Sequence, residues 1–116
     1  IGVDPNGDIF VIDYNGRGFK YAASGELLWS FADTGATYHA LSMDRWGNVY
    51  LAARGGPRNG SYIEKYNNNG VHIVSIDIPR EGAHPVCLAV DAAGNVYATD
   101  SKGVDILAPV STEAMP

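Results

Sequence analysis

A chain with one cysteine cannot tie itself together with an internal disulfide, and Cys87 is the only cysteine in these 116 residues. It lies in the apolar run Val86-Cys87-Leu88-Ala89-Val90 and is expected to be buried as a small hydrophobe. The cysteine count leaves the compartment open. Basic charge is scarce too. The 8 Lys and Arg stand against 13 Asp and Glu, scattered rather than in runs, which excludes a nucleic-acid binder held by phosphate contacts. No apolar run reaches the about 20 residues of a membrane-spanning helix, and no secretory leader pattern is present. Helix signals are missing as well: no window joins apolar residues at helical spacing to cap residues.

What the chain has instead is repetition. Leu41-Ser42-Met43-Asp44-Arg45-Trp46-Gly47-Asn48-Val49-Tyr50-Leu51-Ala52 occurs in related form as Ile1 to Ile12 and as Leu88 to Thr99. Each copy places apolar residues on both sides of a four-residue break, Asp4 to Gly7, Asp44 to Gly47 and Asp91 to Gly94. Asp there can bond its own backbone and Gly can supply a positive φ, which predicts a hairpin built on a type I turn and a glycine bulge. The glycines at 7, 47 and 94 are 47 − 7 = 40 and 94 − 47 = 47 residues apart, the period of propeller blades.

Read in order, the first unit has strands ending at Asp4, over Asp8 to Asp13, at Phe19-Lys20-Tyr21 and over Glu26 to Phe31, where Leu27, Trp29 and Phe31 alternate. The second repeats that order with a longer Gly- and Pro-rich loop, Arg54 to Ser61. The third runs from Pro85 to Leu107, after which two prolines end the pattern. The expected organisation is all-β: a partial β-propeller of about three four-stranded meander blades, the third incomplete. Blade one covers 1–33, blade two 37–78 and a partial blade three 84–109, together residues 1–109, with 110–116 as a tail or linker.

On these residues the chain resembles the NHL-type β-propeller repeat, whose strand ends in Asp, whose turn closes in Gly, and whose next strand reads Asn-Val-Tyr. The match is Val90-Asp91, Gly94-Asn95-Val96-Tyr97, Thr99-Asp100 and Val104 to Leu107, and again Asp44 to Tyr66. The first unit departs from it. Tyr21 to Phe31 is as similar to quinoprotein-like propeller repeats, in which an outer-strand Trp docks on the next blade. Closed propellers use about four to eight blades. Three blades alone leave two broad apolar sheet faces in water. The expectation is therefore a fragment of a longer propeller, favoured by the start at Ile1 inside a repeat, or a homo-oligomer whose copies associate head to tail to close the ring.

The resemblance also places a ligand face. It puts Tyr38 and His39 at the entry to blade two and His84 at the entry to blade three, with Arg54, Arg58 and Asp100 on neighbouring loops. Two histidines near a channel could hold a divalent metal. However, His39 lies 44 − 39 = 5 residues before its Asp and His84 lies 91 − 84 = 7 before its own, and no third ligand is evident. No residue is assigned as catalytic or as a metal ligand, and no cofactor is expected.

The remaining candidates read as structural. Asp13 is expected to bond the backbone of the turn after it. Asp4, Asp44 and Asp91 are expected to initiate turns. Asp4-Pro5-Asn6-Gly7-Asp8 lacks the Gly and distal Glu of a calcium loop. Trp46 is expected to cover a blade edge, and Arg54 and Arg58 to be solvated. Asn59-Gly60-Ser61 fits a glycosylation acceptor.

The functional expectation is a binding or scaffolding module for a protein or carbohydrate partner, extracellular or periplasmic, with no nucleic-acid partner and no membrane span. The alternatives are a metal-dependent enzyme of the lactonase or lyase type with its site in the channel, and a structural assembly unit. Fold alone does not choose among them.

Overall fold

The computed structural model describes residues 1–13, 15–31, 36–55, 60–78, 87–100 and 103–107, with the backbone alone at Asp100 and Leu107. These residues form three antiparallel sheets and no helix. The first sheet holds β1 (Gly2–Val3), β2 (Ile9–Ile12), β3 (Gly18–Tyr21) and β4 (Leu27–Phe31) in that order. The second holds β5 (Ala36–Met43), β6 (Val49–Gly55), β7 (Ser61–Tyr66) and β8 (His72–Asp77). In the third, β10 (Val96–Asp100) lies between β9 (Cys87–Val90) and β11 (Gly103–Leu107).

The repeated hairpins are built as their residues require. Gly7 N donates to the Asp4 carbonyl at 2.9 Å, and Asp4 N to the Asp8 carbonyl at 2.9 Å. The pattern returns at Asp44 and Asp91, and Gly7, Gly47 and Gly94 take φ of 84, 84 and 90°, the left-handed conformation that only glycine adopts without strain. The third-to-fourth-strand turns at Ala22–Glu26 and Asn67–Val71 use the same pair of bonds, and the ladder shifts register beside each.

Alternation along β6 then decides the packing. Val49, Leu51 and Ala53 join Phe10, Tyr38, Tyr62 and Tyr66 in the core shared with the first sheet. Tyr50 and Ala52 point the other way, with Ile63, onto Val96, Leu88 and Val90 of the third. The second sheet is thus buried on both faces, each large apolar side chain contributing roughly 1.5–3 kcal/mol, and its central strands are buried almost without a break. The first strands of the sheets lie together, β1 and β9 each packing against β5.

Aromatic contacts fasten the first sheet to the second. Phe31 stacks on Tyr66 with centroids 4.5 Å apart. Trp29 Nε1 donates to the Asn68 carbonyl at 3.1 Å, so the outer-strand indole docks on the next sheet's turn. Any side chain at Gly70 would collide with it, since a Cβ there would lie 2.9 Å from the indole.

One expectation fails. Cys87 is exposed, not buried. In β9 it is Leu88 and Val90 that face the second sheet, so period-2 alternation turns Cys87 and Ala89 away from it.

Candidate ligand cleft

The described cleft at the inner-strand ends begins with a carboxylate. Asp13 closes β2, and its Oδ1 accepts from Asn15 N at 2.9 Å and Arg17 N at 3.0 Å. Arg17 Nε pairs with Oδ2 at 2.6 Å. Although desolvation works the other way, these Arg17 and Asn15 contacts hold the Asp13 carboxyl below its ordinary range. The backbone-bonding role expected for Asp13 is what the structure has. The turn it organises presses on the second sheet: a Cβ at Gly16 would sit 2.5 Å from the Ala36 carbonyl. Glycine there lets the first sheet's turn lie against the start of β5.

β5 carries the next group. Tyr38 pairs with Ala53 and Ala40 with Ala52, so His39 is the extra residue of a bulge. Bulges re-aim a side chain, and this one leaves His39 exposed at the cleft. Tyr38, only 3% exposed, belongs mainly to the core, edge-on to Phe31 at 6.0 Å. Between these groups lies a cleft of about 390 Å³, lined by Ile12, Asp13, Tyr38, His39, Leu41 and Cys87 among others. That is within the size range of small-ligand sites, about 300–1,000 Å³. Its walls are aliphatic, and its polar groups are an imidazole, a thiol, a phenol and a carboxylate already engaged by Arg17.

The other candidates divide. Arg54 is exposed at the end of β6, opposite Thr37 and Ser61, and does not line the cleft. Arg58 and His84 lie outside the described residues, as does the side chain of Asp100. Among the described residues, no three His, Cys, Asp or Glu side chains gather around a point where a metal ion would sit.

Two polar clusters had not been singled out. Lys20, 3% exposed, sits 3.1 Å from Asp4 Oδ2 and 3.9 Å from Asp8 Oδ2 and also donates to the Asn68 carbonyl at 3.2 Å and to Asn68 Oδ1. Its signal was a lysine on an alternating strand, in register with the apolar Phe10. On β7 and β8, His72 Nε2 lies 2.9 Å from both Glu64 Oε2 and Ser75 Oγ, and Ser75 Oγ donates to Glu64 Oε1 at 2.5 Å. Both partners meet the same ring nitrogen, so the imidazole does not bridge them as a proton relay would. At the turn of the second sheet, the Arg45 guanidinium lies 4.7 Å from the centre of the Trp46 ring.

No protein-family model matches this chain, and no curated protein matches it in sequence. No helix among the described residues is long and apolar enough to cross a membrane.

Proposed function

We propose that the chain is an arc of a β-propeller acting as a binding module, which holds a protein or carbohydrate partner at the cleft beside its inner strands. The observation that carries this reading is the bulge at His39. It sets an exposed imidazole at the rim of an aliphatic cleft of about 390 Å³ to which all three sheets contribute. Few polar groups on apolar walls suit recognition of a sugar face or a peptide side chain.

The test screens the folded chain against an immobilised glycan panel and a peptide panel, then repeats the strongest hit with variants. His39→Ala is expected to weaken binding at least tenfold with an unchanged melting temperature, and Arg54→Ala to leave it intact. Binding indifferent to His39→Ala would overturn the assignment of the cleft. A stoichiometric divalent ion lost in His39→Ala would replace binding with the metal-dependent enzymatic reading.

A further inference from the structure

We propose that a second copy of this chain docks head to tail on the two outer sheet faces, so that two chains close a ring of six sheets. The inference rests on the propeller reading and concerns the outer sheet faces, which reach the cleft at Cys87. Within the chain, each interface joins the leading face of one sheet to the trailing face of the next. Phe10, Trp29 and Phe31 lead onto Leu51, Tyr62 and Tyr66, and Tyr50, Ile63 and Ile76 lead onto Leu88, Val90 and Val96. One trailing face and one leading face are left over.

Register identifies them. On the first sheet, the side opposite Phe10 and Trp29 carries Val3, Ile9, Val11, Phe19 and Leu28, with Val3 64% exposed. On the third, the side opposite Leu88 and Val96 carries Ala89, Tyr97, Thr99, Val104 and Ile106, with Ile106 67% exposed. Neither set contains a charged residue, the depletion that marks an interface core.

The two faces also correspond, position by position, to faces that already pack together. Ile9 lies five residues after Asp4 as Val96 lies five after Asp91. Val104 pairs with Thr99, eight residues after Asp91, as Ile63 pairs with Ala52, eight after Asp44. Ile63 and Val96 belong to one core cluster inside the chain. Val104 of one copy is therefore the natural neighbour of Ile9 in the next.

From strand spacing and rise, each face measures roughly 250 Å² in plane. Closing the ring covers four, on the order of the 1,000 Å² that a specific interface requires. Two identical leading-to-trailing contacts satisfy both leftover faces and leave no growing end.

The experiment is native mass spectrometry and light scattering of the chain at micromolar concentration, first unaltered. The expected mass is twice the 12.3 kDa of one chain. Val104→Glu and Ile9→Lys alone are each expected to give the single-chain mass with a β-sheet circular dichroism spectrum. Mixed in equal amounts, they are expected to return to the double mass, because one junction then meets Glu with Lys and the other is unaltered.

A single-chain mass for the unaltered protein would overturn the proposal, as would a mass that grows without limit with concentration. So would a variant that still pairs alone, since a contact between like faces is disrupted by only one of the two changes. A monomer whose ligand binding still depends on His39 would sink this proposal and leave the binding reading standing. A dimer indifferent to His39→Ala in every binding screen would do the reverse.

Discussion

At Asp44 the outer carboxylate oxygen accepts from Asn48 Nδ2 and from the Tyr50 hydroxyl, each at 2.9 Å, whereas at Asp4 the same oxygen faces Lys20 Nζ at 3.1 Å. The third sheet repeats the neutral version, with Asn95 and Tyr97 each 2.9 Å from Asp91 Oδ2. In the first sheet Asp8 stands in place of the Asn and Phe10 in place of the Tyr. Both changes remove a donor and one adds a charge, so a cation has to supply what two neutral donors supply elsewhere.

The second sheet also has a lysine at this strand position, and it stands in the field of its own turn's carboxylate, Asp44. Lys65 occupies the same register place in the second sheet, opposite Tyr50, and there it lies 5.5 Å from the Tyr50 ring centre. The third sheet has Ile106 at that place. The difference also changes what each turn is coupled to. The bonds of Asn48 and Tyr50 to Asp44, and of Asn95 and Tyr97 to Asp91, stay within six residues, while Lys20 ties the first turn to Asn68 of the neighbouring sheet.

The sharpest way to break this contrast is Lys20→Met, which leaves the Asp4 and Asp8 carboxylates facing each other without a cation. Removing one partner of a buried pair costs about 3–5 kcal/mol, read as the loss of unfolding free energy in urea. Adding Asp8→Asn and Phe10→Tyr to that variant installs the neutral set of the third sheet and is expected to recover more than half of the loss. A triple variant no more stable than the single one would show that the three positions do not act as a unit.

A smaller effect separates the two neutral turns. Tyr50 is fully buried, and its phenol is pushed well above the ordinary range, first by burial and then by the Asp44 carboxylate it donates to. Tyr50→Phe leaves a buried carboxylate oxygen short of a donor and is expected to cost about 1–2 kcal/mol. In the single-chain Ile9→Lys background, Tyr97→Phe removes the same bond on a half-exposed face, where water can replace it, and is expected to cost less than Tyr50→Phe. Equal losses in thermal melts would show that burial is not what distinguishes them.

The smallest effect is acid sensitivity. Burial works to raise the Asp4 carboxyl, but Lys20 and the backbone amides of Asp8 and Asn6 hold it below the ordinary value of 3.8. A carboxyl lowered in the folded state adds stability that is fully present above its unfolded value and lost as pH falls through the folded one. Urea unfolding from about pH 5 to about pH 2 is therefore expected to show a steeper decline for the wild type than for Lys20→Met. Parallel declines would remove Lys20 as the cause.

The Asp-to-Gly turns and the strand order around them were legible because they depend on local chemistry: a carboxylate two and four residues from the amides it accepts, and a glycine where φ must be positive. The docking of Trp29 was implied only through resemblance, and the structure supplies its partner, the Asn68 carbonyl. Cys87 was misread because an apolar window says nothing about which face of a strand meets a neighbour. Lys20 was missed for the converse reason: its partners, Asp4, Asp8 and Asn68, are brought to it by register and by sheet stacking, neither of which composition displays. His39 was expected at the entry to the second repeat, but the bulge that turns it out depends on the pairing of β5 with β6.

The bond from Trp29 to Asn68 spans 39 residues of sequence, and this has a temporal consequence. During synthesis from the N-terminus, β1 to β4 can pair as soon as they emerge, yet the indole has no acceptor and Phe31 no Tyr66 to stack on until the turn after β7 has been made. The first sheet is thus completed one repeat late, and the repeat that follows is the template on which its Trp29 and Phe31 face sets.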